Sequence, residues 1–345
     1  MQRISGNGDR LAIADVPTNM LCGLVLLAAE LQVDSDSWLA GLHLSPEQLA
    51  DPSTRISWRQ AVDTLRRALP TLPADGIGLM LGGSQNGGNF GLLGLAMKTA
   101  RTFGDAVRIG LEYQRSLGPL MTLTLEDNHD GSLAIVASTP DAADDLLPFL
   151  CEEMFASLLM LARELAGEGF RPLRMEFGYP QPTCVDRYRA LFRCDLAFAQ
   201  PRHAMLLDAR WMQLPFSSYN PVTSQQALSL CKAQLGMLAA RGEVTAAVER
   251  QLRQRLRDNP SMSEIASALH LGERTLRRQL AEEGTSFSQV HDRVRTEQAL
   301  ELLQDTGLTI AAVGWLLGFH DAREFRRAFK RWTGQTPSET RLRLA

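Results

Sequence analysis

Three arginines in the last third of the chain have the residue type and the spacing to bind duplex nucleic acid. Arg274, Arg277 and Arg278 lie three and four residues apart, so a helix would place them on one face. A guanidinium group is planar and permanently charged, and its donors suit both phosphate oxygens and the O6 and N7 atoms of guanine. The alternative is a helix whose solvent-facing side is simply basic.

A second set of arginines repeats this arrangement further along the chain. Arg323, Arg326 and Arg327 have the same spacing, and Arg278 and Arg327 stand 49 residues apart. The two sets therefore occupy equivalent positions of a repeated pattern. We predict that both sets contact DNA.

The charges divide the chain into an acidic part and a basic part. Residues 1–240 carry 19 basic and 25 acidic side chains, a net charge of −6, and residues 241–345 carry 17 and 14, a net charge of +3. Of those 17 cations, 16 are arginine and only Lys330 is lysine. The arginine bias is typical of a nucleic-acid-binding module, although a net charge of +3 is modest.

The residues that could carry catalysis are dispersed. The glycine run 82–88 lacks the Gly-Lys-Ser/Thr of a phosphate loop, and no His-Glu-x-x-His or Cys-x-x-Cys pattern occurs. The carboxylate pairs Asp144–Asp145 and Glu152–Glu153 are adjacent in sequence, and adjacent residues of a helix do not face each other. We therefore predict no enzyme, no catalytic residues, no metal site and no cofactor.

Length and composition favour two soluble domains. The chain has 345 residues, of which 45% are hydrophobic and 22% charged, and a typical domain has about 150 residues. There is no run of 18 apolar residues, and the segment before the apolar stretch 20–29 is a poor signal-peptide leader. We expect a cytoplasmic protein without a membrane partner.

The first arginine set lies on the second helix of a predicted helix-turn-helix motif. A preceding helix is predicted from the apolar stripe Val244, Val248, Leu252 and Leu256. Ser261 and Glu264 predict a capping box that begins the next helix. After a break at 270–272, the helix 273–283 turns Leu276 and Leu280 inward and the arginines outward.

The second arginine set lies in a repeat of that motif. The helix 287–304 is followed by helices over 309–317 and from 320 or 321 to Trp332, and the segment 334–337 closes the module. The linking helix of 18 residues would span about 27 Å at 1.5 Å per residue, against about 34 Å for one turn of DNA. We predict an all-α module that reads two adjacent major grooves.

The preceding part mixes helices and strands, so we predict an α+β domain. A hairpin is predicted from 120–126 and 132–137, and a long helix from 145–166. The segment 76–94 contains eight glycines and fits either a pocket lid or close helix packing. We divide the chain into residues 20–215, a linker region 216–242 and the helical module 243–345. A helix over 225–240, with Leu228, Leu235 and Leu238 on one stripe, fits a dimer contact or a linker.

The helical module resembles the AraC/XylS transcription regulators. The resemblance depends on Arg295, Ala299, Leu302 and Leu303, on Ile310 and Val313 before 317–319, and above all on the run 325–338. It implies that base-reading positions fall on Arg274, Arg277, Arg278, Arg323, Arg326 and Arg327. Gly272 and His320 depart from the family, which usually has serine at both positions, and we expect slight weakening at most.

The first part resembles, more loosely, the α+β effector and dimerisation domain of one subgroup, which includes ornithine-utilisation regulators. The matching stretches are 91–107 and 198–208. The resemblance implies a homodimeric regulator, more often an activator, whose partners are double-stranded DNA, RNA polymerase and a small-molecule effector of unknown identity. One alternative stays open, a dimeric regulator without an effector that is controlled by a protein partner or by abundance.

Overall fold

The computed structural model describes residues 11–40, 44, 46–51, 54–117, 120–139, 141–237, 242–305 and 307–344. The chain forms two compact units, of which the first comprises Met1–Leu11 and Asp15–Ala240 and the second Ala12–Ala14 and Arg241–Ala345. None of the helices in the described ranges combines the length and the apolar character that crossing a membrane requires.

The first unit is an α+β domain, as predicted. Its α-helices are α1 (Asn19–Glu30), α2 (Pro46–Leu49), α3 (Trp58–Ala68), α4 (Ile77–Gly83), α5 (Gly91–Lys98), α6 (Phe103–Tyr113), α7 (Leu147–Ala166), α8 (Val185–Phe192) and α9 (Pro221–Met237). Its strands are β1 (Val16–Pro17), β2 (Arg55–Ile56), β3 (Thr122–Asp127), β4 (Ser132–Ser138), β5 (Arg174–Glu176), β6 (Asp195–Ala197) and β7 (His203–Asp208).

The main sheet has five strands in the order β3-β4-β7-β5-β6. The predicted hairpin is confirmed, since β3 pairs antiparallel with β4 from Thr122 opposite Ser138 to Asp127 opposite Leu133. Only β5 and β6 run parallel to each other, and β1 and β2 form a separate two-stranded sheet. Aromatic rings cover one end of the sheet, where Phe177 stacks on Phe198 with centroids 5.3 Å apart.

The glycine-rich segment is more regular than the sequence suggested. It contains α4, a 3₁₀ turn over Gly87–Phe90 and the start of α5. A Cβ atom at Gly78 would lie 2.5 Å from the carbonyl oxygen of Phe149, and one at Gly82 would also come within 3.0 Å of α7. These two glycines therefore let α4 pack directly on the backbone of α7, which favours the close-packing alternative for that part of the segment.

A helix within the segment predicted as a linker belongs to the first unit. Helix α9 packs through the buried Ala227 and Cys231 against Ala96 of α5. Leu228 borders the same small cluster, whereas Leu238, the last residue of the predicted stripe, lies outside the described residues.

The second unit is all helical, as predicted. Its helices are α10 (Glu243–Gln254), α11 (Met262–Ala268), α12 (Glu273–Glu282), α13 (Phe287–Gln304), α14 (Ile310–Leu316), α15 (Ala322–Thr333) and α16 (Pro337–Leu344). One hydrophobic cluster extends through both helix-turn-helix motifs, from Val248 and Leu276 to Phe325 and Phe329. Helix α16 was not predicted from the sequence, which suggested that the module closes at Pro337.

Two short elements flank α1 in the first unit. A 3₁₀ turn spans Asp36–Leu39. Before α1, strand β1 pairs with β2 through Val16 and Ile56.

Candidate functional site

Helix α12 is the second helix of the first motif, and its two faces differ sharply. Leu276 and Leu280 are buried, whereas Arg274, Arg277 and Arg278 are all exposed. The helix therefore presents its predicted base-reading residues to solvent because its leucines anchor the opposite face in the core.

Two of these arginines pair with carboxylates of their own helix. Arg277 Nη2 donates to Glu273 Oε1 at 2.8 Å, and Arg278 Nη1 donates to Glu282 Oε1 at 2.7 Å. Such exposed pairs contribute only about 0.3–0.5 kcal/mol each. A bidentate contact with a base contributes about 1–3 kcal/mol of discrimination, which exceeds the contribution of either ion pair.

The turn before α12 is tight. His270 adopts a left-handed conformation with φ of 55°, and Leu271 N donates to the carbonyl oxygen of Ala266 at 2.8 Å. Gly272 begins α12 in extended backbone without a side-chain cap. The departure from serine at this position therefore leaves one helix N-terminus without a hydroxyl acceptor.

Helix α15 repeats the arrangement in the second motif. Phe325, Ala328 and Phe329 are buried, and Arg323, Arg326 and Arg327 are exposed. Asp321, one of the two predicted caps, accepts from Arg323 N at 2.9 Å. Within the described ranges, no carboxylate forms an ion pair with any of these three arginines.

Small residues let the helices of the second motif approach closely. A Cβ at Gly314 would lie 3.0 Å from the Cβ of Phe325, and the corresponding position of the first motif holds the buried Ala266. Gly318 has a φ of 81°, and a Cβ there would lie 2.6 Å from the carbonyl oxygen of Leu256. This turn therefore requires glycine, whereas in the first motif His270 occupies the equivalent left-handed position.

Arg295 connects the long helix α13 to the turn of the second motif. Its Nε donates to the carbonyl oxygen of Leu317 at 3.1 Å, and its Nη2 donates to Asn259 Oδ1 at 2.8 Å. The guanidinium also lies 4.5 Å from the centroid of the Phe319 ring. Burial lowers the pKa of Arg295. The hydrogen bonds of its guanidinium group hold the loop from which α15 begins.

Glu283 fixes the entry to the module. It follows the last residue of α12, and its carboxylate accepts from Val244 N at 3.0 Å and from Thr245 N at 2.8 Å. The Thr245 hydroxyl donates to the same carboxylate. A negative side chain just beyond the C-terminus of α12 therefore caps the positive N-terminus of α10. No local sequence signal predicts this contact, because the partners are 38 and 39 residues apart.

A separate candidate site lies in the first unit. A cavity of about 200 Å³ is lined by residues of α5, α6, α7 and the main sheet, and Phe103, Leu158 and Met205 are among its apolar lining residues. Glu153 also lines it. Gln85, Asn89 and Phe90 of the glycine-rich segment contribute part of its wall, so this segment packs as core at α4 and borders a pocket beyond it.

The two carboxylates noted at 152–153 point to different surroundings. Glu152 is buried and accepts from the Tyr188 hydroxyl at 2.6 Å and from Gly78 N at 3.2 Å. Glu153 Oε1 accepts from Gln85 Nε2 at 2.7 Å. Burial raises the pKa of both carboxyl groups. They do not face a common point, and no group of potential metal ligands is found among the described residues.

Comparisons with known proteins agree with this architecture. Residues 33–216 match the family described as the arabinose-binding domain of AraC transcription regulator, and residues 265–343 match a helix-turn-helix domain. The ornithine utilization regulator of Pseudomonas aeruginosa is 33% identical over 94% of this chain and 96% of its own length. The regulator VirS of Mycobacterium tuberculosis is 26% identical over 93% of this chain and 94% of its own.

Among solved structures, the transcriptional regulator CdpR of Pseudomonas aeruginosa matches 94% of this chain and 98% of its own, with 23% identity and a TM-score of 0.46. The curated relatives are named as transcription regulators, which favours a regulator over an enzyme. The chain therefore belongs to the AraC family of transcription regulators, and its second unit is the helix-turn-helix DNA-binding module of that family.

Proposed function

We propose that the module reads two adjacent major grooves on one face of the DNA. The observation that carries this proposal is the recurrence of three exposed arginines on the second helix of both motifs. Base reading is assigned to Arg274, Arg277, Arg278, Arg323, Arg326 and Arg327. The 18-residue helix α13 is about 27 Å long, which supports a separation near one turn of DNA.

We further propose that a small molecule in the cavity of the first unit controls this activity. Residues 20–215 act as the effector and dimerisation domain, 216–242 as the connecting region and 243–345 as the reader. The effector shifts the population between DNA-competent and incompetent states. The name of the 33%-identical relative refers to ornithine utilization, so ornithine is one of the first effectors to test.

The proposed regulator is a homodimeric activator that contacts RNA polymerase. The family resemblance supports these assignments. Exposed apolar side chains on two packed helices also support the dimer, namely Leu95 on α5 and Val222 and Leu230 on α9. Light scattering at increasing protein concentration tests the dimer, and a monomer at all concentrations would contradict it.

A base-resolution footprint of the full chain on sheared DNA from its own genome tests the reading of DNA. We expect two protected major-groove patches about 10 base pairs apart for each protomer. Arg278→Ala and Arg327→Ala should each cost about 1–3 kcal/mol and relax base choice at one position. Arg343→Ala, which removes an exposed charge from α16, is the matched control and should leave base choice unchanged. Equal weakening on all sequences by the first two variants would refute base reading.

A further inference from the structure

The cavity of the first unit contains one acidic group in largely apolar surroundings. Most of its lining is aliphatic or aromatic, with residues such as Val107, Leu161 and Ile135 contributed by α6, α7 and the main sheet. Among the described residues, none of the lining side chains is basic. A ligand of this cavity must therefore present a mainly apolar body.

Apart from the exposed Asn19, three polar side chains of the wall besides Gln85 are engaged in hydrogen bonds of the protein. Gln114 donates to the carbonyl oxygens of Leu111 and Leu123 and accepts from Leu123 N. Asn89 Oδ1 accepts from Asn86 N at 2.8 Å. The Ser157 hydroxyl donates to the main-chain oxygen of Glu153 at 2.7 Å. These bonds stabilise the wall and leave few groups for a ligand.

Glu153 has a carboxylate oxygen that accepts no hydrogen bond from the described residues. Its Oε1 accepts from Gln85 Nε2 at 2.7 Å and from Ser157 Oγ at 3.2 Å, whereas no described residue donates to Oε2. Within the described part of the chain, no lysine or arginine pairs with this carboxylate. A carboxylate that lacks a cationic partner in apolar surroundings is costly, and a bound cation would offset that cost.

The position of Glu153 is fixed by its helix. Gly82 brings α4 against the backbone of α7 at Glu153 itself, and Gln85, just beyond α4, reaches the side chain. Burial raises the pKa of Glu153, although its side chain keeps some accessible surface, because that surface borders the cavity. The acid is thus preorganised to meet a ligand rather than bulk water.

We infer that the cavity binds a small amphiphilic cation, with an ammonium group on Glu153 and an alkyl body along the apolar wall. This inference rests on the proposed function, in which the cavity takes the effector. A volume of about 200 Å³ has room for at least roughly seven non-hydrogen atoms at about 30 Å³ for each water-sized group. A fatty acid would place its carboxylate against Glu153, and the pair would either repel or have to take up a proton, so this ligand is disfavoured relative to a cation.

Thermal shift and calorimetric titration of the full chain with three matched probes test the inference. The probes are hexylammonium, 1-hexanol and hexanoate at pH 7.5, which share one alkyl chain and differ in head-group charge. We expect hexylammonium to bind about 10- to 100-fold more tightly than the other two, as a charge-assisted hydrogen bond predicts. Ornithine, which carries a second ammonium group and a carboxylate on a five-carbon chain, should bind less tightly than hexylammonium because the apolar wall offers these groups few partners.

Three variants separate charge from shape. Glu153→Gln should abolish the preference for hexylammonium, leave the affinity for 1-hexanol unchanged and raise the melting temperature of the unliganded protein. Glu153→Asp keeps the charge and should retain the preference at lower affinity, so the inference stays testable if the glutamine variant does not fold. Glu168→Gln, an exposed acid just beyond the same helix, is the matched control and should behave as the wild type.

The outcomes distinguish this inference from the proposed function. Equal or tighter binding of hexanoate would overturn the cationic ligand while leaving effector control intact. A hexylammonium affinity that Glu153→Gln does not change would also overturn it. If none of the three probes binds, the ligand class is wrong, whereas a footprint that still responds to ornithine would keep the effector proposal. A footprint that responds to no ligand would contradict the effector proposal itself.

Discussion

Removal of the Glu283 carboxylate should loosen the start of the DNA-binding module. The carboxylate accepts from two main-chain amides and one hydroxyl at the N-terminus of α10. Loss of an N-terminal cap costs about 0.5–2 kcal/mol, and loss of a negative charge at a helix N-terminus costs about 0.3–1 kcal/mol. We therefore expect Glu283→Ala to destabilise α10 by about 2 kcal/mol, or roughly 30-fold in an opening equilibrium.

The neighbouring residue supplies a matched control. Glu282 is exposed and pairs only with Arg278 on its own helix among the described residues, so Glu282→Ala should cost no more than about 0.5 kcal/mol. Amide hydrogen exchange over residues 243–254 of the full chain measures the difference. Equal exchange rates in the two alanine variants would refute the capping role of Glu283.

Gly242 allows a sharper test of the same contact. Its φ of −69° suits alanine, but a Cβ there would come within 3.0 Å of the Glu283 carboxylate. Gly242→Ala should therefore destabilise the wild type by displacing Glu283. In the Glu283→Ala background the clash is absent, so the same substitution should destabilise markedly less than in the wild type. Additive effects in this double-mutant cycle would contradict the reasoning.

Three other perturbations test the module. Arg295→Ala should cost about 2–3 kcal/mol through its lost bond to the Leu317 carbonyl, and unchanged hydrogen-exchange protection over residues 310–333 would contradict this. Burial lowers the pKa of His291 from 6.5 to about 4. The unfolded chain therefore binds a proton at this imidazole at a higher pH than the folded protein does. As a result, the free energy of unfolding decreases as the pH drops from about 6.5 to about 4. In urea unfolding, His291→Gln should show a smaller loss between pH 7 and pH 4.5 than the wild type, and an identical loss would exclude His291 as the cause. Glu273→Gln with Glu282→Gln should strengthen DNA binding several-fold, since each exposed pair with an arginine contributes about 0.3–0.5 kcal/mol; an unchanged affinity in filter binding would show that these pairs do not compete with DNA.

The helices of both helix-turn-helix motifs could be predicted because their determinants are local. The capping box of Ser261 and Glu264 is present, Asp321 caps α15 and Gly334 ends it with a φ of 77°. Each signal depends on residues within one or two turns of the element it bounds. The same reasoning placed the two arginine sets on exposed faces.

Helix α16 was missed although the sequence contains its signal. Thr336 and Glu339 form a reciprocal pair of hydrogen bonds at its start, which is the Thr-x-x-Glu form of a capping box. Pro337 occupies the first helical position, where proline is favoured because its missing N–H has no partner there. The proline therefore begins the last helix and does not end the module.

The glycine-rich segment indicated a pocket as one alternative, but the position of Glu153 in the cavity and the Glu283 cap could not be predicted, because both depend on tertiary contacts. Glu153 was visible only as half of an acidic pair, and nothing local distinguishes it from Glu152. Its special environment arises because α4 brings Gln85 to it, and α4 forms from a glycine-rich segment with poor helix propensity. Close packing on α7 overrides that propensity.

The single hydrophobic cluster that joins both helix-turn-helix motifs has a consequence for which DNA sequences the protein tolerates. Two readers on a flexible tether would accept many spacings between half-sites, and the second would bind at an effective concentration set by the tether. If both motifs read DNA as proposed, two readers fixed on one packed core could not adjust in this way. One inserted base pair shifts a half-site by about 3.4 Å and rotates it by roughly 35°. We therefore expect an operator with one extra base pair between its half-sites to lose almost all of the contribution that the second motif makes to binding. Base substitutions within a half-site should be tolerated far better than insertions between half-sites.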